Sequence, residues 1–79
     1  MTTMKKPIIG LNLGDKRDII LLRNYGPYLD NKPTLPAGEY VGEVFGTTTT
    51  YGPRAVSTWV IIYDGHRYSV ESEDVNLKG

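Results

Sequence analysis

Val56-Ser57-Thr58-Trp59-Val60-Ile61-Ile62-Tyr63-Asp64-Gly65-His66-Arg67-Tyr68-Ser69-Val70-Glu71 carries two strand signals around one turn signal. Its first half is almost entirely β-branched and aromatic, which suits a pleated surface. Asp64-Gly65 is the strongest short hairpin signal in the chain, because a two-residue type I′ turn needs positive φ at both central positions. Strands are therefore predicted over 56–63 and 66–71. A two-residue turn would set Trp59, Ile61 and Tyr63 on the face that holds Tyr68 and Val70. A three-residue loop with Gly65 in a left-handed bulge would place Thr58, Val60 and Ile62 there instead. In either register the third strand has large apolar groups on both faces. One set belongs to the core, and the other is half exposed or covered by a loop, which makes it a candidate contact surface.

Upstream, residues 17–25 read as a first strand, with Ile19, Leu21 and Arg23 on one face and Ile20 and Leu22 on the other. The segment 26–38 holds three prolines and two glycines and reads as a long ordered loop. Residues 39–45 form a second strand in which Val41 alternates with Gly42 and Glu43. A further loop, 46–54, turns around Gly52-Pro53, and a short strand over 75–77 brings the number to five. No stretch shows apolar residues at helical spacing with a cap. The expectation is an all-β, five-stranded single domain over 17–79, preceded by a partly ordered arm over 1–16.

With 79 residues the chain builds one core, and without cysteine that core is held by packing alone. The same absence removes thiolate metal sites and cysteine nucleophiles. Met1-Thr2-Thr3-Met4-Lys5-Lys6 is followed by no apolar signal segment, and the longest apolar run, Trp59 to Tyr63, is too short to span a bilayer. A cytoplasmic location is expected, with no membrane contact. Nine Lys and Arg balance nine Asp and Glu, so no net field draws the molecule to nucleic acid or anionic lipid.

Leu21-Leu22-Arg23-Asn24-Tyr25 resembles the Ala-Leu-Tyr-Asp-Tyr segment of Src-homology-three-like barrels, and the proline-bearing loop follows where that family's RT loop sits. Leu35 followed by Gly38-Glu39 is similar to the family's entry into its second strand. Val70-Glu71-Ser72-Glu73-Asp74-Val75 lines up with the family's Ile-Pro-Ser-Asn-Tyr-Val. The resemblance spans residues 17–78 and implies a small five-stranded barrel with a 3₁₀ turn between the last two strands. It does not carry the proline-rich-peptide groove. Arg23, Glu71 and Asp74 stand where the family has tyrosine, proline and tyrosine, and Trp59 falls later in its strand than the groove tryptophan.

No motif for chemistry is present, so no enzymatic activity, cofactor or metal is expected. His66 is the only histidine, and Ser57, Ser69 and Ser72 lie in no activating pattern. Glu71, Glu73 and Asp74 are close in sequence but read as solvated turn carboxylates. Six tyrosines and one tryptophan are the strongest functional clue, since such residues anchor binding surfaces. The candidate partner-binding set is Tyr25, Tyr28, Tyr51, Arg54, Trp59 and Tyr63, set against the plainer reading that the tyrosines fold back to seal a small core.

The first functional expectation is a protein-interaction or structural module that docks on a larger protein, or on itself, through its long loops and the outer face of its third strand. Stand-alone barrels of this kind look like accessory subunits, virion components or small phage-encoded inhibitors. A second expectation is a nucleic-acid-binding barrel in which Tyr51, Trp59 or Tyr63 stack bases while Lys32, Arg54 and Arg67 contact phosphates. A third is a non-catalytic subunit of a larger enzyme complex.

Overall fold

The computed structural model describes residues 8–29, 31–49, 52 and 54–78. Within them the chain is all-β, with one short 3₁₀ turn. The strands are β1 (Lys16–Leu21), β2 (Gly38–Thr48), β3 (Ala55–Tyr63), β4 (His66–Glu71) and β5 (Val75–Leu77), and the 3₁₀ turn η1 (Ser72–Asp74) joins the last two. They form one antiparallel sheet in the order β4-β3-β2-β1-β5. Among the described residues no ladder joins β4 to β5, so these two strands end the sheet. No helix among them is long and apolar enough to cross a membrane.

The hairpin takes the two-residue register. Tyr63 pairs with His66, Ile61 with Tyr68 and Trp59 with Val70, while Asp64 and Gly65 both have positive φ, as a type I′ turn requires. That choice assigns the faces of the whole sheet. Inward go Ile19 and Leu21 of β1, Val44 of β2, Trp59 and Ile61 of β3, Tyr68 and Val70 of β4 and Val75 of β5, closed over by Leu35 from the long loop. Outward go Lys16, Asp18, Val41, Glu43, Val60, Ile62, Arg67 and Ser69.

Two details differ from the sequence reading. The first strand ends at Leu21 rather than at residue 25, because the amide of Leu22 leaves the ladder and donates to the Asp74 carbonyl of η1. The second strand runs on to Thr48 through register shifts at Val44/Gly46 and Gly46/Thr47. These set Phe45 out of regular pairing and let Val56 turn inward onto Ile8. Along β2, whose inner face the sequence reading did not assign, alternation turns Gly42 inward with Val44 and leaves Val41, Glu43 and Phe45 exposed. A Cβ on Gly42 would collide with Ile19 Cδ1 and lie 3.0 Å from Trp59 Cε3, so the glycine makes room for the indole.

Among the described residues ahead of β1, Ile8, Gly14 and Asp15 are tied to the sheet. Ile8 joins the core, its carbonyl accepts from the Val56 amide, and Gly14 and Asp15 exchange backbone hydrogen bonds with Val44.

Candidate docking face

Three tyrosine hydroxyls, those of Tyr25, Tyr40 and Tyr68, are spent inside the molecule. Tyr25 donates to Asp74 Oδ2 at 2.5 Å and accepts from the Glu71 amide at 2.9 Å. Asp74 Oδ1 meets Arg23 Nε at 3.1 Å, and the Arg23 guanidinium lies 4.3 Å from the Tyr25 ring centre. This knot ties the end of β1 to η1. Partial burial, and then the bond to Asp74, push the Tyr25 phenol above its usual pKa, and the bond to Asp74 raises that of Arg23. Tyr68 donates to the Pro33 carbonyl and Tyr40 to the Pro36 carbonyl, which pins both ends of the proline-bearing stretch. Lys32 seats its ammonium 4.2 Å from the Tyr68 ring and 4.9 Å from that of Tyr28, and donates to the Arg67 carbonyl.

The proposed aromatic patch is thereby dispersed. Trp59 is fully enclosed at 0% exposure, a correction to its assignment as a contact residue: the hairpin register aims it into the core. Tyr63 is half-buried, edge-on to Tyr40 and Tyr68 at 6.0 and 6.3 Å. Tyr25 is a strut in the knot just described. Tyr28, at 38% exposure, stays at the surface but leans on Tyr68. Arg54 is exposed, and Tyr51 lies outside the described residues. With Trp59 enclosed, Tyr63 packed and Lys32 seated on rings, the base-stacking arrangement loses described members of its set.

Apolar side chains stand exposed singly at Ile9, Leu13, Leu22, Leu29 and Leu77, and grouped on the outer face of the sheet. Val41 is 60% exposed, Phe45 53% and Ile62 64%, with Val60 beneath them at 8%. Together with Lys16, Glu43 and Arg67, the three valine and isoleucine side chains line an open groove of about 600 Å³. The Arg67 guanidinium stacks 4.9 Å from the Phe45 ring centre, folding over the Val60 side of that groove. Sequence reasoning held Val60 and Ile62 as one of two alternative outer faces of the third strand, and its contact set named Trp59 and Tyr63 from that strand instead. It missed Val41 and Phe45, whose outward aim follows from Gly42 turning inward and from the bulge.

Elsewhere, ligand atoms of Glu71, Glu73 and Asp74 lie within 4.8 Å of one another, but Asp74 is already held by Tyr25 and Arg23. The lining of the groove offers no nucleophile beside a base. Protein families, curated proteins and solved structures were compared with this chain, and none matches it.

Proposed function

We propose that the chain is a non-catalytic protein-interaction module that docks through the outer face of β2, β3 and β4. One observation carries this: Val41 and Ile62 stand open over a buried Val60 in one groove, with Phe45 also exposed on β2, on a sheet whose core is complete on the other side. A small domain that exposes several large apolar side chains side by side bears solubility and aggregation costs, and such patches mark interaction surfaces. The strand count, the long loop after β1, the tight β3–β4 hairpin and the 3₁₀ turn before β5 support the Src-homology-three-like reading of the layout. The loops serve the fold and the sheet face serves the partner.

A photo-crosslinking side chain placed at position 62 tests this in the native host. The expected result is a discrete crosslinked species from position 62, none from an equivalent probe at Asn76 on β5, and loss of the species in an added Val41→Lys variant. A melting temperature unchanged by Val41→Lys would show that the fold survives. Crosslinking from Asn76 alone, or from neither position, would overturn the assignment of the face.

A further inference from the structure

β4 ends the sheet, so one side of its backbone has no ladder partner among the described residues. In a hairpin closed by two residues, the pair flanking the turn exchanges both of its hydrogen bonds, and bonded pairs then recur at every second residue. With Tyr63 opposite His66, the backbone groups of His66, Tyr68 and Val70 point to β3, and those of Arg67, Ser69 and Glu71 point away. An edge of this kind is a template for another strand.

Two side chains stand on that edge. The Lys32 ammonium donates to the Arg67 carbonyl at 2.8 Å, and the Tyr25 hydroxyl accepts from the Glu71 amide at 2.9 Å. Each is fixed by further contacts, Lys32 by the rings of Tyr68 and Tyr28 and Tyr25 by the Asp74 carboxylate. Beside Lys32, the Pro33 carbonyl takes the Tyr68 hydroxyl, so β4 itself helps to hold this stretch in place. Pro33 has no amide hydrogen and offers no donor to a further strand.

The two blocked groups belong together. Laid antiparallel against a second copy about a two-fold axis through Ser69, β4 sets Ser69 opposite Ser69 and Arg67 opposite Glu71 of that copy, the latter twice. In that pairing the Glu71 amide donates to the second copy's Arg67 carbonyl, and these are the donor and the acceptor that Tyr25 and Lys32 occupy. The Arg67 and Glu71 side chains share the outer face of β4, so across the junction they meet as opposite charges. β4 holds no proline and its register is regular, so nothing within the strand opposes the pairing.

We infer that Lys32 and Tyr25 are edge guards, an autoinhibitory contact that keeps β4 from adding to β4 of a second copy. This edge is separate from the docking face proposed above, and the guards' role stands or falls without it.

Sedimentation equilibrium from low micromolar to millimolar concentration tests the guards. The wild type is expected to stay at 8.8 kDa. Lys32→Met keeps the length of the stem and removes the ammonium. Each guard is displaced twice in the pairing, so Lys32→Met should strengthen association by about tenfold or more, and Lys32→Met/Tyr25→Phe further still. The Ser69 amide points away from β3, so an added Ser69→Pro leaves the β3 ladder whole while blocking the edge, and should return either variant to monomer. Thermal melts establish which variants fold, and Lys32→Met, which leaves the Tyr25 knot intact, decides the matter if the double variant does not. Folded variants that remain monomeric throughout, association that Ser69→Pro leaves untouched, or a wild type that pairs as tightly as Lys32→Met would each overturn the guards.

Discussion

Removing one oxygen from Tyr25 separates two roles for that residue. In Tyr25→Phe the ring stays over Arg23 and against the core, so only the hydroxyl's two hydrogen bonds are lost. A bond to a carboxylate contributes about 1.5–3 kcal/mol and one to a neutral amide about 1. The site is half open to solvent, and water re-solvates Asp74 and the Glu71 amide, so roughly half of that sum survives as a net cost of about 1–2 kcal/mol. For a domain of this length the melting temperature should fall by about 5–15 °C.

The same substitution has a signature in alkali. Partial burial and then the bond to Asp74 raise the folded-state pKa of Tyr25 above its usual value of about 10. A phenol whose folded pKa is raised favours the fold in its neutral form. Its contribution is complete below pH about 10 and is lost as pH rises through the folded value. Tyr40 and Tyr68 are raised too, with burial as the main cause, but they are common to both proteins and cancel in the difference. Urea titrations at pH 7 and at steps above pH 10 should show the gap between wild type and Tyr25→Phe narrowing as pH climbs. A variant within about 0.5 kcal/mol of wild type at pH 7, or a gap that widens in alkali, would show that the hydroxyl is no strut.

The remaining predictions concern the core and the loop. Gly42→Ala should cost about 1–3 kcal/mol by overpacking against Ile19 and Trp59, and tryptophan emission should shift as the indole is displaced. A variant as stable as wild type would mean that the indole has free space above Gly42. Val70→Ala removes two buried methyl groups and should cost about 2–3 kcal/mol. Tyr28→Ala, which loses a half-exposed ring against Tyr68 and Lys32, should cost about 1 kcal/mol. Equal costs in chemical denaturation would place Tyr28 in the core.

The hairpin was legible through Asp64-Gly65, but its register was not: a two-residue turn and a three-residue bulged loop both suit that pair, and the pairing of Tyr63 with His66 selects the first. The 3₁₀ turn was legible only through the resemblance of Val70–Val75 to the Ile-Pro-Ser-Asn-Tyr-Val segment of Src-homology-three-like barrels. Strand ends were not. The last residues expected in β1 have ordinary strand composition, and only the carbonyl of Asp74, dozens of residues away in sequence, draws Leu22 out of the ladder. The alternation of Val41 with Gly42 and Glu43 did not say which of them faces inward; Gly42 does, because Ile19 and Trp59 occupy the volume that a side chain there would fill. Such a fact depends on a neighbour two strands removed from β1 and absent from the local pattern.

The tyrosines misled for a physical reason. A tyrosine has an apolar ring and one polar atom, so it anchors an interface or closes a small core equally well, and composition does not distinguish the two. What does is the supply of internal acceptors. Prolines leave carbonyls with no neighbouring strand to bond, and the carbonyls of Pro33 and Pro36 take the hydroxyls of Tyr68 and Tyr40. A proline-bearing loop thus consumes the polar ends of the rings it lies on, and the rings become part of the fold. Val41 and Ile62 have no polar end to satisfy and gain nothing from the solvent they face. Because the core closes without them, replacing either by a charged residue should leave the melt nearly unchanged while abolishing the proposed docking, and a melt that falls with either substitution would assign these side chains to the fold instead.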